Sequence, residues 1–173
     1  MNDYPFQHAV AIDTNIFEHL FNPQENTEKH INQLLLHLKS NNVKLLLDNG
    51  SRILREYKKI IEPRLNANSD HLNEIQVMRS WLIDNPTIIV SVNNFDGLMN
   101  AIESEISGHN QITDRTFVYV AFSWGGDLVS NDERDIVSKR RQLKRKTRHE
   151  SSNSQYSNIF NSREAYEQTQ SLP

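Results

Sequence analysis

The chain alternates short, uniformly apolar runs with longer stretches in which apolar residues recur every three or four positions. The short runs predict buried strands, and they cover His8–Ile12, Val43–Leu47, Thr87–Val92 and Leu128–Ser130. The periodic stretches predict amphipathic helices over Thr27–Ser40, Ser51–Ile61, His71–Ile83, Phe95–Ile106 and Asp114–Trp124. Pro63 is expected to end the second of these helices, and Gly125–Gly126 the last.

Two further elements are predicted near the end of the sequence, a strand over Asn158–Phe160 and a helix over Ser162–Gln168. Strands that alternate with helices are typical of an α/β protein whose parallel sheet is covered on both faces. The sequence therefore predicts a single domain over residues 1–173. We expect a three-layer α/β/α sandwich with a central, mainly parallel sheet of four to five strands.

Length and composition narrow the class of protein. The 173 residues are enough for one domain with its own core, and the chain contains no cysteine. The lack of cysteine excludes disulfides, thiolate zinc sites, iron–sulfur clusters and cysteine nucleophiles. No apolar run is long enough to span a membrane, and the first residues do not follow the pattern of a secretion signal. We therefore expect a soluble, cytoplasmic protein that does not associate with membranes.

The net charge of −3 hides an uneven distribution. The stretch Lys139–Arg148 carries seven of the nineteen Lys and Arg residues and no acid, which leaves twelve bases against twenty-two acids elsewhere. The segment of residues 138–154 that contains this stretch is called the basic arm below. Because predicted elements continue beyond it, we expect the basic arm to be an insertion in an acidic domain rather than a tail.

Acidic residues stand at or near the predicted strand ends. Asp13 follows the first strand, Asp132 follows the fourth, Asp114 opens a helix, and Glu56 lies on the helix after the second strand. In open α/β sheets, ligands bind outside the carboxyl ends of the strands, so these four acids can converge on one cavity. Clustered carboxylates repel one another unless a cation neutralises them, and oxygen ligands suit Mg²⁺ or Mn²⁺.

Each acid also has a purely structural interpretation. Asp13 is equally well placed to cap a helix, and Asp114 to interact with a helix dipole. Glu56 lies among basic residues of its own helix and could form a surface ion pair. Asp132 and Asp135 are typical of acids in turns or caps. It is the ordered set of acids, rather than any single one, that points to a site.

That ordered set resembles the PIN-domain nucleases. The first motif is AIDTNIF, which carries Asp13 and Asn15, and the second is ILREY, which carries Glu56. The third and most specific motif is DRTFVYVAFSWGGDLVSND, which runs from Asp114 to Asp132. The resemblance extends from about residue 8 to residue 135. The family usually has Thr near its last acid, where this chain has Ser130 and Asn131.

The resemblance implies an endonuclease that depends on Mg²⁺ or Mn²⁺ and acts most often on RNA, with DNA not excluded. By this resemblance, the residues that bind the metal and carry catalysis are Asp13, Glu56, Asp114 and Asp132. Asp135 is an additional candidate ligand, and Asn15 and Ser130 would orient the ligands through hydrogen bonds. Related small nucleases act as toxins or defence effectors, so the resemblance also raises an inhibitory protein partner and a homodimer as expectations.

The basic arm is the candidate nucleic-acid-binding segment. Its bases are Lys139, Arg140, Arg141, Lys144, Arg145, Lys146 and Arg148. Five of them, all except Lys139 and Lys146, fall at spacings that would line one side of a helix. We expect them to attract phosphates that the acidic body repels, with binding that weakens with salt. A solvated charged loop or a docking site for an acidic partner is the alternative.

Two other functional classes stay open on the sequence. A non-catalytic PIN-like module would bind RNA or protein as a scaffold, and we expect such a module to lose some of its acids. A phospho-acceptor receiver domain also places acids at strand ends. Receivers need paired acids after the first strand and an acceptor acid after the third, whereas Asp13 stands alone and Asn93, Asn94 and Phe95 follow the third strand.

Overall fold

A computed structural model of the chain describes residues 8–21, 27–65, 76, 79–83, 86–108 and 111–170. The five strands are β1 (Ala9–Ile12), β2 (Lys44–Asp48), β3 (Thr87–Val90), β4 (Asp127–Val129) and β5 (Ile159–Phe160). The helices are α1 (Thr14–Phe21), α2 (Thr27–Ser40), α3 (Arg52–Leu65), α4 (Gly97–Glu105), α5 (Ile112–Trp124), α6 (Arg140–Thr147) and α7 (Ser162–Thr169). A π-helical turn over Glu133–Val137 joins β4 to α6, and residues 79–83 are also helical.

The sheet is parallel throughout, with strand order β3-β2-β1-β4-β5. Helices flank it to form a three-layer α/β/α sandwich, which confirms the predicted fold class. The first strand is central because β2 pairs with it on one side and β4 on the other. Every residue of β1 is buried, as a strand covered by helices on both faces requires. The core holds large side chains such as Phe17, Tyr57, Trp81 and Phe117.

The structure differs from the predicted elements in three places. Helix α3 does not end before Pro63 but runs to Leu65 with the proline inside its final turn. Arg64 holds this turn, since its guanidinium donates to the carbonyl of Ile60 and lies 4.3 Å from the centre of the Phe21 ring. Helix α1 was not assigned from the apolar pattern. Strand β3 is shorter than predicted, and most of the predicted helix at 71–83 lies outside the described residues.

The third strand is also less buried than a uniformly apolar run suggests. It is an edge strand that pairs only with β2 among the described strands, and Ile89 is 59% exposed. In the part of the chain that the structure describes, no helix is long and apolar enough to cross a membrane. The helix of the basic arm, α6, lies between β4 and β5 along the chain.

The turn between α5 and β4 depends on two glycines. Gly125 ends α5 in a left-handed conformation with φ of 86°, and its N–H bonds the carbonyl of Ala121. At Gly126, a Cβ atom would come within 2.6 Å of the carbonyl oxygen of Ala9. Only glycine therefore lets β4 enter the sheet against β1 at this point.

Candidate functional site

Asp13 is the buried centre of the candidate site. It follows β1 directly, and only 3% of its surface is exposed. Its carboxylate accepts hydrogen bonds from the Ser130 hydroxyl (2.7 Å) and from the side-chain amide of Asn15 (2.8 Å). The Thr14 hydroxyl also donates to it. Burial raises the pKa of Asp13, hydrogen bonds from Ser130, from the Asn15 backbone N–H and from Thr14 lower it, and the charge of Asp132 raises it.

Asn15 and Ser130 occupy the places that the resemblance implies for orienting residues. Besides holding Asp13, the Asn15 side-chain oxygen accepts the backbone N–H of Asn131 at 3.0 Å. The Ser130 oxygen accepts the backbone N–H of Asp132, also at 3.0 Å. These two side chains therefore fix the loop after β4 relative to the end of β1. The side chain of Asn131 extends this network to α7, because its oxygen accepts the N–H of Ser162 at 2.8 Å.

Asp114 brings a second carboxylate to the same edge of the sheet from the first turn of α5. Its pKa is raised to about 7, first by burial and then by the charges of Asp13, Asp132 and Asp135, while Arg115 lowers it slightly. No hydrogen bond to the Asp114 carboxylate is present among the described residues. The charges of acids from the end of β1 and from the loop after β4 therefore act on Asp114.

Asp132 and Asp135 lie in the turn that leaves β4. One carboxylate oxygen of Asp132 accepts the backbone N–H groups of Arg134 and Asp135, at 3.0 and 2.9 Å. Asp135 forms an ion pair with Lys139, whose Nζ lies 3.3 Å away. The structural interpretation of Asp132 as a cap is thus confirmed, and the same residue still carries a charge that acts on Asp13 and Asp114.

Glu56 lies on α3 and makes the contact that its surface interpretation predicts. Its carboxylate is 2.7 Å from the ammonium of Lys59, one turn further along the helix. Among the described residues, no contact joins Glu56 to Asp13 or Asp114. The second motif of the resemblance therefore supplies no ligand in the arrangement seen here, and the role of Glu56 stays a prediction.

The acidic set formed by Asp13, Asp114, Asp132 and Asp135 fits Mg²⁺ or Mn²⁺ in chemistry and charge. Its acids are all oxygen donors, and the pKa values of Asp13 and Asp114 are raised first by burial and then by neighbouring acids, so a cation would stabilise their charged forms. Across the described ranges, however, no three Asp, Glu or His side chains are grouped closely enough to hold a metal ion as they stand. Binding an ion would therefore require these side chains to turn toward one another.

The basic arm contains α6, and its bases form two groups: those that contact the body of the domain and those that are exposed. Four bases contact the body of the domain: Lys139 reaches Asp135 and the carbonyl of Glu105, Arg140 pairs with Glu164, Lys144 contacts Asn158, and Lys146 pairs with Glu105. The remaining three, Arg141, Arg145 and Arg148, are exposed. Arg140 and Lys144, which the spacing groups with these three on one side of a helix, each have a partner in the body of the domain, Glu164 for Arg140 and Asn158 for Lys144.

Asp48, which ends β2 as Asp13 follows β1, is absent from the predicted set of site residues. It is 5% exposed, and its carboxylate accepts the N–H groups of Arg52 and Ile53 at the start of α3. The signal was present as an acid directly after an apolar run, before Asn49 and Gly50.

Comparisons of the chain with protein-family models, with curated proteins and with solved structures find no match. The chemistry of the acidic edge therefore carries the functional argument.

Proposed function

We propose that the chain is a divalent-metal-dependent endonuclease of the PIN type that hydrolyses phosphodiester bonds in RNA. The observation that carries the proposal is the meeting of acids from three separate segments at the carboxyl edge of the sheet. Asp13, Asp114 and Asp132 come from different parts of the chain, yet the charge of Asp132 raises the pKa of Asp13, and the charges of Asp13 and Asp132 raise the pKa of Asp114. Such mutual repulsion is costly for a fold, and it is typical of sites that work on a bound cation or substrate.

Asp13, Asp114 and Asp132 are the residues that would hold Mg²⁺ or Mn²⁺, with Asp135 as an additional ligand. When bound, such an ion lowers the pKa of water and stabilises negative charge on phosphate oxygens. The protein's own contribution is orientation: Asn15 and Ser130 fix the Asp13 carboxylate. Because both donate to the same carboxylate oxygen, they control which way it faces.

The exposed arginines of α6 supply the attraction for the substrate. Arg141, Arg145 and Arg148 follow one another at intervals of four and three residues, so they form a row along one helix face. Lys139 joins this helix to Asp135, which places the start of α6 beside the acidic edge. A strand bound to the row would therefore lie next to the acids.

One observation favours a second function, a PIN-like scaffold that binds RNA or protein without cutting. The described acids do not form a group of three at metal-binding distance, and Asp132 is already used as a cap. A scaffold would bind RNA through α6 and would show no response to divalent ions at the acidic edge.

Cleavage assays separate the two functions. Labelled RNA and single-stranded DNA are incubated with the protein in Mg²⁺, in Mn²⁺ or in EDTA. Asp13→Asn and Asp114→Asn serve as site variants, and Glu62→Gln serves as a control because Glu62 is an exposed acid on α3. We expect cutting of RNA only with metal, loss of cutting in both site variants, and full activity in the control.

Metal-independent cutting, or site variants as active as the parent, would refute the mechanism. Binding of RNA without any cutting under all metal conditions would support the scaffold instead.

A further inference from the structure

A polar pocket lies at the carboxyl edge of the sheet, beyond the ends of β2 and β3. Its volume is about 100 Å³, and its lining includes Asn49, Arg52, Arg55, Asn94 and Thr116. A water molecule occupies about 30 Å³ in the liquid, so the pocket has room for a few waters or one phosphate group, but not for a whole nucleotide.

Two guanidinium groups give this pocket its character. Arg52 donates to the Thr116 hydroxyl at 3.3 Å, and Arg55 donates to the carbonyls of Ser51 and Gly50, both at 3.2 Å. Neither forms an ion pair with a carboxylate in the described part of the chain. Because a guanidinium has five N–H donors, both retain donors for a ligand. Planar forks of this kind match the oxygens of a phosphate.

The start of α3 contributes little of its own to anion binding. The Asp48 carboxylate already accepts the N–H groups of Arg52 and Ile53, at 2.9 and 2.8 Å. Asp48 is also the acid that lines the pocket, so two guanidiniums there face one carboxylate. The positive charge of the pocket therefore comes from the arginine side chains.

The pocket lies beside the acidic edge. Strands β1 and β2 are paired with Val10 opposite Leu45, and continuing this register by three residues brings Asp13 level with Asp48. Adjacent strands are about 4.8 Å apart, so the pocket at the ends of β2 and β3 lies about one to two strand spacings from Asp13. A polynucleotide that crosses the carboxyl edge of the sheet would pass both places.

An exposed aromatic ring follows the pocket in the chain. Phe95 comes directly after the pocket residue Asn94, and its side chain is 91% exposed. A phenylalanine is seldom left so open in water, and aromatic rings on nucleic-acid-binding surfaces stack against unpaired bases. A positively charged pocket followed by an exposed aromatic ring matches the alternation of phosphate and base along a single-stranded nucleic acid.

We propose that Arg52 and Arg55 bind a backbone phosphate of a single-stranded nucleic acid, with Phe95 stacking on a neighbouring base. This inference rests on the proposed function, since it places the strand whose phosphodiester meets the acids. The pocket sets where along the strand the cut falls, because it fixes one phosphate at a constant distance from Asp13.

Binding of a fluorescent single-stranded RNA, measured by anisotropy in EDTA with Asp114→Asn as the parent so that nothing is cut, tests the proposal. The double variant Arg52→Gln/Arg55→Gln is compared with Lys44→Gln/Lys58→Gln. The control removes the same charge from two exposed lysines, one of which begins β2 at the opposite edge of the sheet.

We expect the arginine double variant to lose affinity by about ten- to a hundredfold, as for the loss of charge-assisted hydrogen bonds. The slope of log K against log salt should fall by about 0.7, the value for one phosphate of a single strand. The lysine control should stay close to the parent. Equal affinities and slopes in the two double variants would overturn the proposal.

Phe95→Ala and inorganic phosphate distinguish a strand from a free anion. If a base stacks on the ring, Phe95→Ala should weaken RNA binding by about five- to a hundredfold, and millimolar phosphate should compete poorly. If Phe95→Ala binds RNA as well as the parent does and phosphate competes fully, the pocket binds a free anion. The proposal that it binds a nucleic-acid strand would then be overturned.

Two measurements keep the result separate from folding and from catalysis. Circular dichroism and thermal melting establish that the variants are folded, and Arg52→Lys, which keeps the charge without the fork, should bind with intermediate affinity. If the native chain cuts nothing with Mg²⁺ or Mn²⁺ while the arginine double variant loses RNA binding, the pocket is supported and the nuclease is refuted. Normal metal-dependent cutting by the native chain, together with unchanged RNA affinity in the arginine double variant, would support the nuclease and refute the pocket.

Discussion

Replacing Asp114 by Asn should stabilise the protein at neutral pH while it abolishes cutting. The substitution keeps the shape of the side chain and removes the charge that burial and the acids Asp13, Asp132 and Asp135 disfavour. In the parent, the carboxyl group has a pKa of about 7 when folded, against the ordinary value of 3.8. Between these two values the folded state binds more protons than the unfolded state, so stability falls as pH rises.

The size of the effect follows from the shift. Three pKa units correspond to about 4 kcal/mol. Asp114 is only partly buried, and screening by solvent reduces this to about 2 kcal/mol. For a domain of this length, about 2 kcal/mol is equivalent to a change in Tm of about 4–8 °C.

Thermal melting followed by circular dichroism, in EDTA from pH 4 to pH 8, measures this difference. The Tm of Asp114→Asn should match that of the parent near pH 4, where both side chains are neutral. The variant should then gain steadily until about pH 7 and keep a constant advantage above it. Glu62→Gln, an exposed acid on α3, should show no such trend.

Adding Mg²⁺ at pH 8 extends the same test to the metal. A ligand that binds only the folded state at a hundred times its Kd stabilises by about 2.7 kcal/mol, so the parent should recover its lost stability. The variant should gain less. A variant that is no more stable than the parent at pH 8 would refute the electrostatic reasoning, and an equal response to Mg²⁺ would refute Asp114 as a ligand.

Three further changes test other parts of the structure. Ser130→Ala removes a 2.7 Å hydrogen bond to a buried carboxylate and should lower the free energy of unfolding in urea by about 1.5–3 kcal/mol. Replacing Arg141, Arg145 and Arg148 together by Gln should lower the salt slope of RNA binding by about 2, at about 0.7 for each phosphate, and an unchanged slope would assign α6 another role. Gly126→Ala should destabilise by about 1–3 kcal/mol or more, because its Cβ would overlap the Ala9 carbonyl oxygen, and a normal melting curve would contradict that contact.

The sheet and most helices could be predicted because buried elements have characteristic patterns of apolar residues. Strands buried on both faces must be apolar throughout, so runs such as Val43–Leu47 mark them within a residue. Pro63 misled because a proline is tolerated when tertiary contacts hold the turn around it, and the contacts of Arg64 with α1 cannot be read from local sequence. Helix α1 is short, and although Ile16, Phe17, Leu20 and Phe21 follow a helical spacing, the pattern extends over only about two turns.

The candidate site was predicted in part. Asp13 and Asp132 follow neighbouring strands, so the topology places both at the carboxyl edge of the sheet, whereas Asp114 comes from the first turn of α5. Glu56 lies on a helix surface, where side-chain direction depends on its neighbours, and the ion pair with Lys59 follows from the local sequence alone. Which bases of the basic arm contact the domain depends on partners distant in sequence, such as Glu164 for Arg140. These contacts cannot be predicted from the local sequence.

The hydrogen bond from Ser130 to Asp13 joins residues 117 positions apart. The central strand is synthesised long before the strand β4 that completes its pairing, and the loop after β4 is itself held by Ser162 of α7. Contacts so distant in sequence form late in folding because closing long loops is slow. A chain still emerging from the ribosome would carry Asp13 without the groups that orient it. A nuclease assembled in this order would stay inactive until the segment through α7 has left the ribosome.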